Sequence, residues 1–423
     1  PVRIRAYQNY RNAEANGDVK TAPTSVSTSE GLVDMVMDSA RQRLYIANSG
    51  LNRVEVFDTR ANQFLTPIKA GQLPRSLAMT PDGRLLYVAN SGGESIGIVD
   101  LDKDEVIGKV RFPPVYYNAS YALNTPSVIV ATLSGLQVVM SDGTLWKVVN
   151  DEAMPRKSIA VLGTSAITSP RTMVATPGGE YALLLGGSGT AYLYDATADD
   201  FVLSQSVVAT PIRGYFGPVA AGPRGQYYVV NGTVLNSSLT PLASSAGGGP
   251  GGLPGLPGLP VTTTTGSAIA AVAAVDATTI ARFSQPARAS ANATVTETPT
   301  VQLVNAATAA LRGSSPVPEG PLSSQVGNQR VNVNGRTMAL DATSSTAYVL
   351  TTSGLSIVPL SATQQIPFQP GAALPSNLIL VNQNGVVNTA NYQASIAPGS
   401  LVSIFGQNLG TEASAATSTL PTL

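Results

Sequence analysis

No histidine and no cysteine occur anywhere in the 423 residues. Without histidine the chain lacks the commonest general base, the usual partner of a nucleophilic serine and the commonest transition-metal ligand. Without cysteine no disulfide staples the fold, and redox compartment cannot be read from thiol usage. Charge is also scarce. Asp, Glu, Lys and Arg make up 12% of the chain, and the 25 basic and 25 acidic residues cancel, against roughly 25% charged residues in an ordinary soluble domain. This leaves no electrostatic footprint for nucleic acid or an anionic membrane surface, and neither partner is expected. Apolar runs stay short of the roughly 18 residues that a membrane-spanning helix needs, so no helical span is expected. No Met, basic n-region or apolar h-region stands at Pro1, which reads as a mature or trimmed product whose export signal, if it had one, is gone.

What the chain has instead is repetition. "YIANSG" begins at Tyr45 and "YVANSG" at Tyr87, and their surroundings echo as well. "RQRLYIANSGLNRVEVFDTRANQF" and "DGRLLYVANSGGESIGIVDLDKDEV" share a turn, an apolar strand, a small polar turn, and a second strand ending in Asp58 or Asp100. "PRSLAMTPDGR" precedes the second copy, "PRTMVATPGGE" starts at Pro170 and the looser "GRTMALDATSS" at Gly335, so Arg75, Arg171 and Arg336 head equivalent strands. A period of about 40 to 45 residues holding four short strands marks a β-propeller blade, whose apolar faces only neighbouring blades can cover. The expected fold class is therefore all-β. A propeller over 31–365 is expected to have seven blades, with six or eight as alternatives because the Ala- and Thr-rich sixth repeat is eroded.

Residues 1–30 hold a strand that alternates Val2, Ile4 and Ala6 against Arg3, Arg5 and Tyr7, followed by a polar lead-in. Such a strand closes the ring by completing the last blade and removing a free edge. A Gly/Pro-rich insertion at 247–266 carries three Gly-Leu-Pro triplets with the collagen period, too few for a stable triple helix, and a loop is expected there. Over 366–423 the repeat gives way to a linker and two strands, with Val386 and Val387 in one and Leu401, Val402, Ile404 and Phe405 in the other. They read as part of a sandwich that normally takes about 100 residues. Either the chain continues in a longer protein or another molecule completes these strands.

"RQRLYIANSGLNRVEVFD" and "DGRLLYVANSGGESIGIVD" resemble the YVTN family of bacterial and archaeal β-propellers. "GVVNTANYQASIAPGSLVSIFGQNLG" resembles the start of the Ig-like, IPT/TIG-like module that follows such propellers in secreted acidobacterial proteins. The resemblance implies an exported, extracellular or cell-surface protein. It transfers no catalytic residue, because the family has no agreed ones.

Candidate chemistry is thin. Asp100, Asp102 and Asp104 alternate as the oxygen ligands of a calcium loop do, without the glycine such a loop turns on. The same stretch aligns with the hairpins after Asp58 and Asp195, where an aspartate caps a turn by accepting backbone N–H groups. Calcium is the one cofactor candidate, and otherwise none is expected. Arg75, Arg171 and Arg336 start strands placed nearest the axis, where they either ring the channel mouth as an anion site or pair with groups of the next blade. Trp146 and the pair Tyr116–Tyr117 either stack on a glycan ring or pack internally.

From Val331 to Leu423 the only charged residues are Arg336, Asp341 and Glu412, a composition that favours association. The first expectation is a non-catalytic exported building block of a homopolymer, filament or surface layer, joined through its C-terminal strands. The second is a monomeric cell-surface binding propeller for a glycan, peptide or anion. The third is a polysaccharide-acting enzyme that works without histidine.

Overall fold

The computed structural model describes residues 2–4, 31–93, 95–113, 124–156, 161, 166–167, 172–207, 219–230, 232–244, 268–285, 299–308, 310–326, 329–332, 335–351, 354–360, 380–388 and 402–407. Seven four-stranded antiparallel sheets account for most of them, and the one helix among the described residues is a single 3-10 turn, Pro223–Gly225. Blade 1 comprises Leu32–Asp38, Arg43–Asn48, Arg53–Asp58 and Gln63–Phe64, and blade 2 comprises Pro74–Met79, Leu85–Asn90, Ser95–Asp100 and Glu105–Lys109. Blades 3 to 6 run from Pro126 to Pro155, Thr172 to Ser206, Val219 to Ser244 and Ala268 to Pro316. Blade 7 comprises Met338–Leu340, Thr346–Thr351 and Gly354–Pro359, with Val2–Ile4 as its fourth strand. That strand pairs antiparallel, Val2 opposite Ile357 and Ile4 opposite Leu355.

The first strands of successive blades lie against one another all the way round, and blade 7 meets blade 1 to complete the circle. The count is therefore seven, and the first strand of each blade is the innermost. Two compact units divide the chain, Pro1–Gln364 and Gln365–Leu423. In the second, Leu380–Asn388 pairs antiparallel with Val402–Gln407, with a register shift between Val381 and Val386. The remainder of the Ig-like expectation, Leu401 included, falls outside the described residues, as do the 247–266 insertion and Tyr116–Tyr117.

Both faces of each blade are covered, which is why "RLYIAN" reads as a nearly unbroken apolar run. Side chains alternate across a strand. Leu44 and Ile46 pack with Tyr348 and Leu350 of blade 7, while Tyr45 and Ala47 pack with Leu77, Leu86 and Val88 of blade 2. The echoed "ANSG" ends this run. Asn48 is fully buried, donates from Nδ2 to Glu55 Oε1 at 2.8 Å and accepts at Oδ1 from the Leu51 N–H at 3.1 Å. Asn90, equally buried, donates from Nδ2 to the carbonyls of Ala70 at 3.1 Å and Val88 at 3.2 Å. The following serines tie the turn to the strand entrance: the Ser49 hydroxyl donates to Pro74 O and that of Ser91 to Leu73 O.

The outer hairpins use aspartate as a turn cap. Asp58 Oδ1 accepts from Arg60 and Ala61 N–H at 2.8 Å each, Asp100 Oδ1 from Asp102 at 3.0 Å and Lys103 at 3.2 Å, and Asp195 Oδ1 from Thr197 at 2.8 Å. Four residues after each capping aspartate, Asn62, Asp104 and Asp199 adopt left-handed conformations with φ of 53°, 55° and 53°. Asn and Asp tolerate that region better than other non-glycine residues.

Candidate functional site

The structure does not bring the three carboxylates of the calcium expectation together, and among the described residues no group of three or more acidic side chains converges on a metal position. Arginines stand where the cation would. Asp102 accepts from Arg41 of blade 1 through Nε at 3.0 Å and through Nη2, while Asp104 pairs with Arg43 Nη1 and accepts the Tyr45 hydroxyl at 2.9 Å. Asp100 stays with its own turn. Asp102 and Asp104 thus clasp the outer hairpin of blade 2 onto the second strand of blade 1 and the turn that leads into it.

The equivalent of Asp104 in blade 4, Asp199, makes the same kind of clasp onto blade 3. It takes Lys147 Nζ at 2.6 Å, Arg156 Nη2 at 3.1 Å and the hydroxyl of its own blade's Tyr194 at 2.6 Å. The Arg156 guanidinium also stacks over the Tyr194 ring at 5.2 Å. Burial, reinforced by the Asp199 hydrogen bond, pushes the Tyr194 phenol up to about 12. Burial opposes the Asp199 charge, but Lys147, Tyr194 and Arg156 together outweigh it and hold the carboxyl below its ordinary value. Its stabilising contribution is accordingly present above the unfolded carboxyl value of about 3.9 and is lost as pH falls through the lower folded value. Asp199→Asn is expected to cost about 1 kcal/mol at neutral pH, a modest figure because the carboxylate is partly solvated. The deficit relative to the unsubstituted chain should shrink as pH falls below the unfolded carboxyl value, which urea unfolding at neutral and acidic pH would check.

On the innermost strands one structural device recurs. The first strands of blades 1, 2, 3 and 6 each carry a bulge near their start, skipping Val33, Arg75, Ser127 and Ala270 in the cross-strand register. A bulge frees a side chain from the alternation of its strand and re-aims it. Arg75 occupies this position in blade 2, and the repeat alignment gives Arg336 the corresponding place in blade 7, two residues ahead of Met338–Leu340. Arg171 lies outside the described residues.

The two described arginines have different surroundings. Arg336 embraces Asp34 of blade 1, with Nε to Oδ1 at 2.9 Å, Nη2 to Oδ2 at 2.7 Å and its backbone N–H to Oδ1 at 2.8 Å. Its Nη2 also donates to Leu77 O of blade 2, whose own N–H donates to Asp34 Oδ2 at 2.7 Å. One buried carboxylate therefore locks blades 7, 1 and 2. Burial works to lower the Arg336 pKa, and Asp34 more than compensates, so the net shift is upward. Arg75 has no hydrogen-bond or ion-pair partner among the described residues, and burial alone pushes its pKa down.

Sequence reasoning placed both arginines at the axis but missed Asp34, which sits inside the apolar-looking "GLVDMVMD". The only signal for it was an acidic residue at a position where the other repeats have Ser76 or Thr337. Trp146 is buried against Phe112, its ring N–H bound to Thr144 Oγ1 at 3.0 Å, which leaves the core reading of that residue.

The outer rim is apolar in an unusual place. Of the seven large apolar side chains exposed among the described residues, six lie on the fourth strands of blades 2 to 6: Val106, Ile107, Met154, Val202, Leu242 and Leu311. Ile107, Val202 and Leu242 are themselves bulged residues. A bulge twists an edge strand away from pairing, so the rim presents side chains more readily than backbone.

These features meet known proteins at the level of architecture. A family model described as lactonase, 7-bladed beta-propeller, matches residues 2–111, which hold the N-terminal strand and the first two blades. The chain is a seven-bladed β-propeller. No curated protein matches it. Among solved structures, the β-propeller domain of Cps50 (Swd1) from Myceliophteria thermophila is 12% identical, with 81% of this chain and 99% of that one covered at a TM-score of 0.50. Hydrazine synthase from Kuenenia stuttgartiensis is 16% identical, with 79% of this propeller chain and 77% of that chain covered at a TM-score of 0.39. At such identities the likeness to the Cps50 propeller is one of fold alone.

Proposed function

We propose that the protein is a non-catalytic, exported building block of an extracellular homopolymer, a filament or surface layer in which C-terminal strands join one copy to the next. The observation that carries this reading is the sheet of the second unit. Leu380–Asn388 and Val402–Gln407 carry no charged residue, and among the described residues of that unit they pair only with each other. A two-stranded sheet is marginal in water, and an uncharged strand with an open edge is a template for a strand from a neighbour. The dearth of charge from Val331 onward supports the same reading. So does the apolar rim, which offers side-chain contacts beside any strand pairing. Export and surface localisation rest on the YVTN-type and Ig-like resemblances, and the non-catalytic part on the absence of histidine and cysteine from the sequence. A head-to-tail contact that does not close on itself builds an open fibre.

Light scattering after size exclusion, together with negative-stain images, tests this directly. The full chain is expected to form polymers. Ile404→Lys, placed opposite Val386 in the register, is expected to leave monomers whose circular dichroism is unchanged. A full chain that remains monomeric at high concentration would refute the reading.

A further inference from the structure

Arg75 and Arg336 hold the same place in their repeats, yet one has a counterion and the other has none. The carboxylate that neutralises Arg336 comes from the next blade, at Asp34, the residue just after the bulge. Blade 3 stands to blade 2 as blade 1 stands to blade 7. Its residue just after the bulge is Val128. The register position that holds a bidentate carboxylate for Arg336 therefore holds, in the blade after Arg75, an apolar side chain that packs toward blade 4.

The rest of the second junction is complete without an anion. The inter-blade backbone donor that Asp34 satisfies for Leu77 is satisfied here by Ser76, whose hydroxyl oxygen accepts the Ile129 N–H at 3.2 Å. Among the described residues the Arg75 guanidinium is left without a hydrogen-bond or ion-pair partner. It keeps its charge across the whole working pH range, and its planar fork matches a carboxylate in two parallel hydrogen bonds. Arg75 is half-buried and so still reachable from solvent, on an innermost strand at the end where that strand begins. Arg336, from blade 7 two blades away, donates to Leu77 O only two residues along that strand, but its charge is already spent on Asp34. The three charged groups sum to one net positive charge.

We infer that Arg75 is a binding site for a carboxylate carried by a ligand that enters the central channel, the ligand's carboxylate taking the place against Arg75 that Asp34 takes against Arg336. The ligand class is a carboxylate-bearing molecule, either an acidic sugar or an acidic peptide, which share the recognised group. The site is independent of whether copies associate.

Calorimetric titration of the full chain with glucuronate, with a triglutamate peptide and with inorganic phosphate reads the inference out. At least one carboxylate probe is expected to bind more tightly than phosphate, and whichever of the two binds better identifies the source. Arg75→Gln is expected to weaken that binding about tenfold or more, the loss of a charge-assisted bidentate contact. Val128→Asp supplies the internal counterion that blade 3 lacks. It should weaken binding to a similar degree while raising the thermal midpoint, a pair of effects that a merely structural arginine would not produce. Should Arg75→Gln fail to fold, the Val128→Asp result decides alone. Absence of binding by both carboxylate probes, preference for phosphate, or unchanged binding in Val128→Asp would each overturn the inference.

Discussion

Asp34→Ala is expected to destabilise the propeller by about 3–5 kcal/mol, the range for removing one partner of a buried ion pair. The carboxylate is 2% exposed and serves two neighbouring blades at once. Its loss leaves the Arg336 guanidinium without its bidentate partner and the Leu77 N–H without an acceptor. The cost falls where blade 7 meets blade 1, at the seam of the ring, so a weakened contact there exposes apolar faces on both sides, including Leu44, Ile46, Tyr348 and Leu350. The double replacement Asp34→Leu with Arg336→Met should recover most of the loss, because it removes both charges together instead of stranding one. Urea unfolding of the three variants beside the unsubstituted chain checks both statements. A cost for Asp34→Ala within about 0.5 kcal/mol of zero, the scale of an ordinary surface substitution, would show that the pair does not lock the seam.

Gly71→Ala is expected to cost about 3 kcal/mol, from two sources that arise at one atom. Gly71 has φ of +149°, a region that side-chain-bearing residues enter only under strain of order 1–3 kcal/mol. A Cβ there would also stand 2.3 Å from Cγ and Nδ2 of Asn90. Asn90 has no room to retreat. It is fully buried and holds the carbonyls of Ala70 and Val88, and displacing it leaves buried polar groups unmade at about 1–3 kcal/mol. Asn90→Ala in the same chain removes the clash, so the double variant should be more stable than the sum of the two single effects predicts. Strict additivity of the two substitutions would mean that the contact does not carry the cost.

The legibility of this fold follows from what kind of contact each element makes. The "ANSG" echo and the capping aspartates are properties of a single repeat or of repeats laid over one another, and they stand in the sequence plainly, whereas the count of seven stays open there to six or eight because the sixth repeat is Ala- and Thr-rich. The clasps do not, because Asp102 and Asp104 find their arginines in a different blade, and nothing in "DLDKDE" distinguishes a cation ligand from a partner of Arg41 and Arg43. Alternate acidic residues suggested calcium for that reason. The arginines of the channel mouth were visible as a recurring residue, but their difference was not. That difference lies in which residue the next blade sets opposite them, Asp34 or Val128, and the bulges that establish the correspondence shift register without leaving a glycine or proline to announce every one. The apolar rim was equally hidden, since Ile107 or Val202 in a strand reads as core until the strand is known to be outermost.

The pairing of Val2–Ile4 with Gly354–Pro359 has a practical corollary. This fastening is the outermost strand of blade 7, so a fluorophore or surface tether joined ahead of Val2 would depart from the outer edge of that blade. Mechanical load applied at that point would act first on three residue pairs, and their detachment would leave blade 7 one strand short while its innermost strand still meets blade 1. Single-molecule pulling from that terminus should therefore record a small early rip before the main rupture, whereas a handle inserted at a mid-ring loop should not.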